Sequence, residues 1–157
     1  VVGLEGLAAV VPVKGRFRWL RRAALGVGLV LVAIQLVPVD RSNPPVTADL
    51  PAPAPVRAVL RRACYDCHSH ETAWPWYGFV APVSWLIERD VREAREHLNF
   101  STWERYTPEE RSENLHEIRE EVEEGDMPPA SYLRIHRDAV LSAEDRAVLL
   151  EWGRGPE

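Results

Sequence analysis

Ala23 to Val39 is a run of 17 residues, apolar throughout but for Gln35. A stretch of that length and character is hard to spread over the surface of a small fold, and it sits at the lower limit for a helix that crosses a bilayer. Lys14, Arg16, Arg18, Arg21 and Arg22 crowd its N-terminal side. The positive-inside rule therefore assigns residues 1–22 to the cytoplasm as a basic N-terminus, 23–39 to a transmembrane anchor, and everything beyond about Asp40 to the outer side. A cleaved signal peptide is the rival, but no small-x-small cleavage site follows closely after Val39. Val1 to Val13 is an apolar preface that fits neither part of such a signal, and no function is assigned to it.

At 157 residues the chain then has room for one ordinary domain with a modest core. Many of its 13 prolines fall between Pro38 and Pro55, so residues 40–54 read as a Pro-rich linker and 55–157 as the domain. Beyond Asp40 the chain carries 14 arginines, no lysine and 22 acidic residues, a formal charge of -8. That sign argues against nucleic acid as a partner and favours basic partner proteins.

The exported part is expected to be all-α, because helical spacing recurs while period-2 alternation is absent. Pro55 suits a first helical turn, with Val56, Val59, Leu60 and Ala63 on one side and the helix ending at the cysteines. A second amphipathic helix is predicted from near Pro82, with Val83, Ile87, Val91, Ala94 and Leu98 facing inward. Thr107-Pro108-Glu109-Glu110 is a capping box for a helix running to about Glu124, where Gly125 can close it; a loop, Asp126 to Ala130, follows. Ser142 caps a last helix with Val148, Leu149 and Trp152 on its apolar face, before Gly153.

The chemistry lies in Cys64-Tyr65-Asp66-Cys67-His68, which matches the C-x-x-C-H haem attachment motif. Two thiols one helical turn apart can add to the two vinyl groups on one porphyrin edge, and the next residue's imidazole is then held beneath the iron. The other readings are a thioredoxin-like redox pair and half of a zinc site. The first should precede a helix in an α/β sequence, and the second usually draws on more cysteines than the two present. The cofactor expected is one covalently attached haem c.

A low-spin iron needs a sixth ligand, and a soft thioether suits it. Met127, the sole methionine, precedes Pro128 and Pro129, and a residue before proline is held extended, which presets a ligand-bearing loop. His97 and His136 are the alternative axial ligands. His70 lies too near His68 to cross the haem plane easily, and His116 shares its helix with many charges. Trp74, Trp76, Tyr77 and Trp85 are read first as core packing, and also as candidate walls of a haem pocket whose indole or phenol hydrogens could reach a propionate. The charges from Glu88 to Glu124 are interleaved helical pairs, a solvated face and not a catalytic cluster.

Taken together, Cys64-Tyr65-Asp66-Cys67-His68-Ser69, Trp74-Pro75-Trp76-Tyr77, Ala81-Pro82-Val83-Ser84-Trp85, His97-Leu98-Asn99-Phe100-Ser101 and Met127-Pro128-Pro129 resemble the bacterial haem-binding domain family of cytochrome c-like proteins. The resemblance spans roughly Asn43 to Trp152. It implies one N-terminal membrane segment in the bacterial inner membrane, an exported haem domain with c-type attachment by the cytochrome c maturation machinery, and a cytochrome c-like fold in which the helix before the motif packs on the C-terminal helix. The expected function is one-electron transfer to redox partner proteins at the membrane, with no bond-making catalysis required. The alternatives are a haem-based sensor or peroxidase-like protein with an open or displaceable distal ligand, and an interaction module whose cysteines form a disulfide.

Overall fold

The computed structural model describes the backbone of residues 13–154 and the side chains of residues 17–154. Most of the preface and cytoplasmic segment expected at 1–22 lies outside the described residues. The chain divides into two units, residues 1–38 and 39–157.

In the first unit α1, Val13–Ala33, continues as a 3-10 turn at Ile34–Leu36. Phe17–Leu36, 20 residues, is long and apolar enough to cross a membrane. The helix thus begins well before the apolar run, because Arg18, Arg21 and Arg22 have good helical propensity and extend the same spiral. It ends before Pro38, whose ring cannot continue a helix. Gln35 donates its amide N–H back to the Leu31 carbonyl at 3.0 Å, which satisfies the one polar side chain in the run.

The second unit is helical throughout. Among the described residues there is no strand, and a single isolated bridge joins Ala48 to Thr102. Helix α2, Ala54–Ala63, carries Pro55 in its first turn and buries Val56, Val59, Leu60 and Ala63, the face its spacing marked out. It breaks at Cys64, and α3, Tyr65–His68, is one further turn. Helix α4, Val83–His97, buries Ser84 and Val91, while Val83 is 41 % exposed and does not join the core.

Helix α5, Pro108–Glu124, starts at the expected capping box and ends at Gly125, whose φ of 85° is the left-handed closure that glycine adopts without a Cβ penalty. A short helix absent from the sequence-based expectation, α6 at Ala130–Leu133, occupies the stretch after Pro129. Helix α7, Ala143–Trp152, has a capping box formed by Ser142 and Asp145.

Helix α2 packs on α7, α7 on α5, and α3 on α4. The core gathers Leu50, Val56, Val59, Leu60, Tyr65, Phe100, Trp103, Val122 and Leu149. Gly153 allows α7 to end against α5: a Cβ there would lie 2.8 Å from the Arg119 Cβ and 3.1 Å from the Leu115 carbonyl oxygen. Burying these side chains at ~25 cal/mol per Å² is the main favourable contribution to the fold.

The Pro-rich segment expected as a linker is laid down as an extended strap on the domain. Leu50 is 2 % exposed. The Thr47 and Ala48 amides donate to the Ser101 carbonyl at 3.0 and 3.2 Å, and Trp103 N–H donates to Ala48 at 3.0 Å. Prolines hold such a chain extended, so it loses little further freedom on docking. Arg95 ties the strap down: its Nε donates to Ser69 O at 2.8 Å, and its terminal nitrogens to Ser42 O, Asn43 Oδ1 and Thr72 Oγ1 at 3.0, 2.8 and 2.9 Å.

Candidate cofactor site

Cys64 stands at the junction of α2 and α3, with φ -124° and ψ -31°. The break turns the chain so that Cys67 and His68 follow on a fresh turn, their amides donating to the Cys64 carbonyl at 3.2 and 3.0 Å. Both thiols are free and partly buried. Burial pushes the Cys64 thiol up to about 12, with a further contribution from Cys67 and opposition from Arg62. Burial and then the Asp66 and Asp90 carboxylates push Cys67 up to about 11. Both shifts favour the neutral thiol over the thiolate.

His68 is gripped from two sides. Its Nδ1–H donates to the Leu98 carbonyl at 3.1 Å, and the His68 carbonyl accepts the Phe100 amide at 2.8 Å. The Phe100 ring lies 5.8 Å from the imidazole. Burial lowers the His68 pKa, against the Leu98 carbonyl, which favours the proton. A second backbone hydrogen bond, to Ala94, also favours the proton. Because the Leu98 carbonyl can only accept, the neutral ring carries its proton on Nδ1 and its lone pair on Nε2, the arrangement that a backbone acceptor imposes on a ligating histidine.

The other residues singled out by sequence are dispersed. Met127 is 37 % exposed in the loop after α5, its N–H donating to Glu121 O at 3.2 Å. His97 is 72 % exposed along its side chain and pairs with Glu117 at 3.3 Å. His70 is engaged at both nitrogens, by Pro45 O at 3.1 Å and the Asn99 amide at 2.9 Å, and His116 faces Glu120. His136 and Tyr77 meet: Nε2 and the phenol oxygen are 2.7 Å apart.

The aromatic residues divide in the same way. Trp103 is core, 5 % exposed, whereas Trp76 is 79 % exposed and takes no part in it. The Trp74 and Trp85 indole nitrogens are buried without a hydrogen-bond partner. A buried orphan donor is costly.

Three observations fit a haem: two free thiols one turn apart, an imidazole with its tautomer set, and two indole N–H groups in need of acceptors such as propionate carboxylates. The sole methionine completes a donor set of soft and borderline ligands.

Sequence reasoning missed Leu98 and Phe100 as the partners of His68, Arg95 as the clamp, and Asp66 as more than a spacer. Asp66 Oδ2 accepts the Tyr132 hydroxyl at 2.7 Å. The one signal available was the His97-Leu98-Asn99-Phe100-Ser101 run, since a polar and aromatic cluster between two helices has little reason to sit in a loop unless it packs on something.

No curated protein and no solved structure matches the chain. A family model described as a haem-binding domain matches residues 29–154, which takes in the strap, every helix of the second unit and all the residues discussed above. By that match over most of its length, the chain belongs to the haem-binding domain family.

Proposed function

We propose that this protein is a membrane-anchored monohaem c-type cytochrome that transfers single electrons on the periplasmic side of the bacterial inner membrane. The observation that carries the proposal is His68, with its proton held by Leu98, placed one residue after the second of two free thiols. In this reading Cys64 and Cys67 are the residues that would hold the haem, each through a thioether in which the S–H bond and one vinyl π bond would be exchanged for a C–S and a C–H bond. Thiols that stay protonated at neutral pH are slow nucleophiles, which suits attachment by dedicated maturation machinery.

When bound, haem supplies a reversible one-electron couple at its iron. His68 Nε2 and the Met127 thioether are the residues that would hold the iron, and a thioether would favour the reduced state. The Trp74 and Trp85 indole N–H groups are the donors that would meet the propionates, which would remove the cost of two orphan donors. The anchor confines the search for redox partners to the membrane plane, and the net negative charge of the exported part selects basic ones.

The exposure of Met127 favours one alternative, a haem-based sensor or peroxidase-like protein whose distal ligand is displaced by a small molecule. Co-expression with the maturation machinery, followed by spectra of the wild type and Met127→Ala, separates the readings. Haem that survives denaturing electrophoresis, and a low-spin spectrum lost in Met127→Ala, is the expected result. Absence of covalent haem in the wild type sinks the proposal, and ready binding of carbon monoxide to the ferrous wild type favours the sensor.

A further inference from the structure

Asp66, between the two cysteines, is bonded at every acceptor it owns. Its Oδ1 accepts the Ala73 amide at 2.9 Å, its Oδ2 the Tyr132 hydroxyl at 2.7 Å, and its backbone carbonyl the Thr72 hydroxyl at 2.7 Å. The carboxylate is therefore fixed on one side by the loop that follows the motif. Its other side reaches across 66 positions of sequence to α6.

Tyr132 sits one short turn from the proposed distal ligand. Its amide donates to Pro129 O at 3.0 Å, and Pro128 and Pro129 separate that carbonyl from Met127. The tyrosine ring stacks on His136 at 4.0 Å and 7°, and His136 is bonded in turn to Tyr77. The upstream end of the same loop is pinned too, since the amides of Gly125, Asp126 and Met127 all donate to Glu121 O at 3.1, 3.0 and 3.2 Å. Between the two pinned ends the prolines have no N–H with which to tie the loop to anything. The backbone ties here are local, from the Tyr132 and Leu133 amides to the Pro129 carbonyl, whereas the Tyr132 side chain reaches the attachment motif, and a phenol donating to a carboxylate is among the stronger hydrogen bonds.

We infer that the Asp66–Tyr132 hydrogen bond is a latch that positions the Met127 loop against the haem attachment motif, which makes Asp66 and Tyr132 positioning residues for the sixth ligand. The inference rests on the assignment of Met127 as that ligand. A ligand site tolerates displacement of only about 0.5 Å, and a latch three residues beyond Pro129 moves the thioether almost directly. The motif thus sets both faces of the haem: His68 from its last position and, through Asp66, the loop opposite.

The test uses the full chain, haem-loaded and ferric, titrated with imidazole as a competing ligand while the weak red absorption band of a thioether–iron bond is followed. Tyr132→Phe and Asp66→Asn should each raise the apparent imidazole affinity about tenfold, the loss of one charge-assisted hydrogen bond. The double variant should exceed neither single one. Asp145→Asn weakens a charge-assisted bond outside the site, to Arg62 at 2.8 Å, and should leave both readouts at wild-type values even if it lowers stability.

Latch variants that behave as Asp145→Asn does overturn the inference. Should Met127→Ala itself retain the wild-type band, the ligand assignment falls and the latch with it. Should Met127→Ala lose the band while both latch variants keep wild-type imidazole affinity, the latch alone falls. Asp66→Asn is isosteric but has a single side-chain acceptor for the Ala73 N–H and the Tyr132 O–H together, and no charge, so it weakens the latch without emptying the space and remains informative if Tyr132→Phe folds poorly.

Discussion

The two sides of the candidate site are built to different standards. On the His68 side the imidazole is bonded to Leu98, the neighbouring backbone to Phe100, and Phe100 is 1 % exposed in the centre of the core. On the Met127 side a loop with a half-exposed thioether hangs between the end of α5 and a four-residue helix, secured by three amides on one carbonyl and one phenol on one carboxylate. The first arrangement cannot shift without disrupting packing. The second can open at the cost of a few hydrogen bonds, as regions of low contact density do. Under the proposed cytochrome function that asymmetry would be useful, because one ligand would stay in place while the other tuned or gated access to the iron.

The sharpest way to break the contrast is Phe100→Ala. It should destabilise the domain by about 3–5 kcal/mol, as large cavities in cores do, and chemical denaturation of the haem-free protein reads it directly. Arg95→Ala comes next, at about 2–3 kcal/mol, because it strips the buried Ser69 carbonyl and Thr72 hydroxyl of a donor. Limited proteolysis should then cut within residues 40–53, since the strap loses its clamp.

Gly125→Ala acts on the other side. A β-carbon in the left-handed region costs about 1 kcal/mol, and its nearest neighbour, an Arg146 terminal nitrogen, lies 3.9 Å away. Stability should fall modestly while imidazole affinity rises, since the closure that delivers Met127 is strained. An unchanged affinity would show that the distal loop is set from α6 alone.

A smaller effect follows from pH at the α2–α7 seam. The Ser142 amide, then the Ser142 hydroxyl and Arg62, hold the Asp145 carboxyl below its ordinary 3.8, and Arg62 meets it at 2.8 Å. Because the folded value is depressed, this contribution is complete above the unfolded value near 3.8 and fades as pH falls through the folded one. Thermal melts of Asp145→Asn and wild type should differ at pH 7 and converge at the acid end. The smallest effect is expected of His97→Ala: an exposed pair with Glu117 is worth within about 0.5 kcal/mol, and the haem spectrum should not change.

Much of this was legible beforehand, for local reasons. The capping boxes at Thr107 and Ser142 and the closure at Gly125 depend on residues within one turn of each other, so their identities suffice. The buried face of α2 followed from spacing alone. Val83 was misplaced because periodicity marks an apolar stripe without showing how far the partner surface extends. The strap looked like a linker because its proline content describes local stiffness and carries no record of the Ser101, Trp103 and Arg95 partners more than 40 residues away.

For the site, sequence by itself nominated Cys64, Cys67 and His68 as the haem attachment triad, because the proposed chemistry needs those residue types at that spacing and nothing else need be nearby. It also nominated Met127, by elimination and by the prolines after it. Only the tertiary structure decided which atom of His68 holds the proton, that His97 faces solvent with Glu117, and that His136 is engaged with Tyr77 and Tyr132. It alone revealed Asp66 as a link to the distal loop. The physical reason is the same in each case. A hydrogen bond is set by where two groups meet in space, and the partners Leu98, Glu117, Tyr77 and Tyr132 are distant in sequence from the residues they govern.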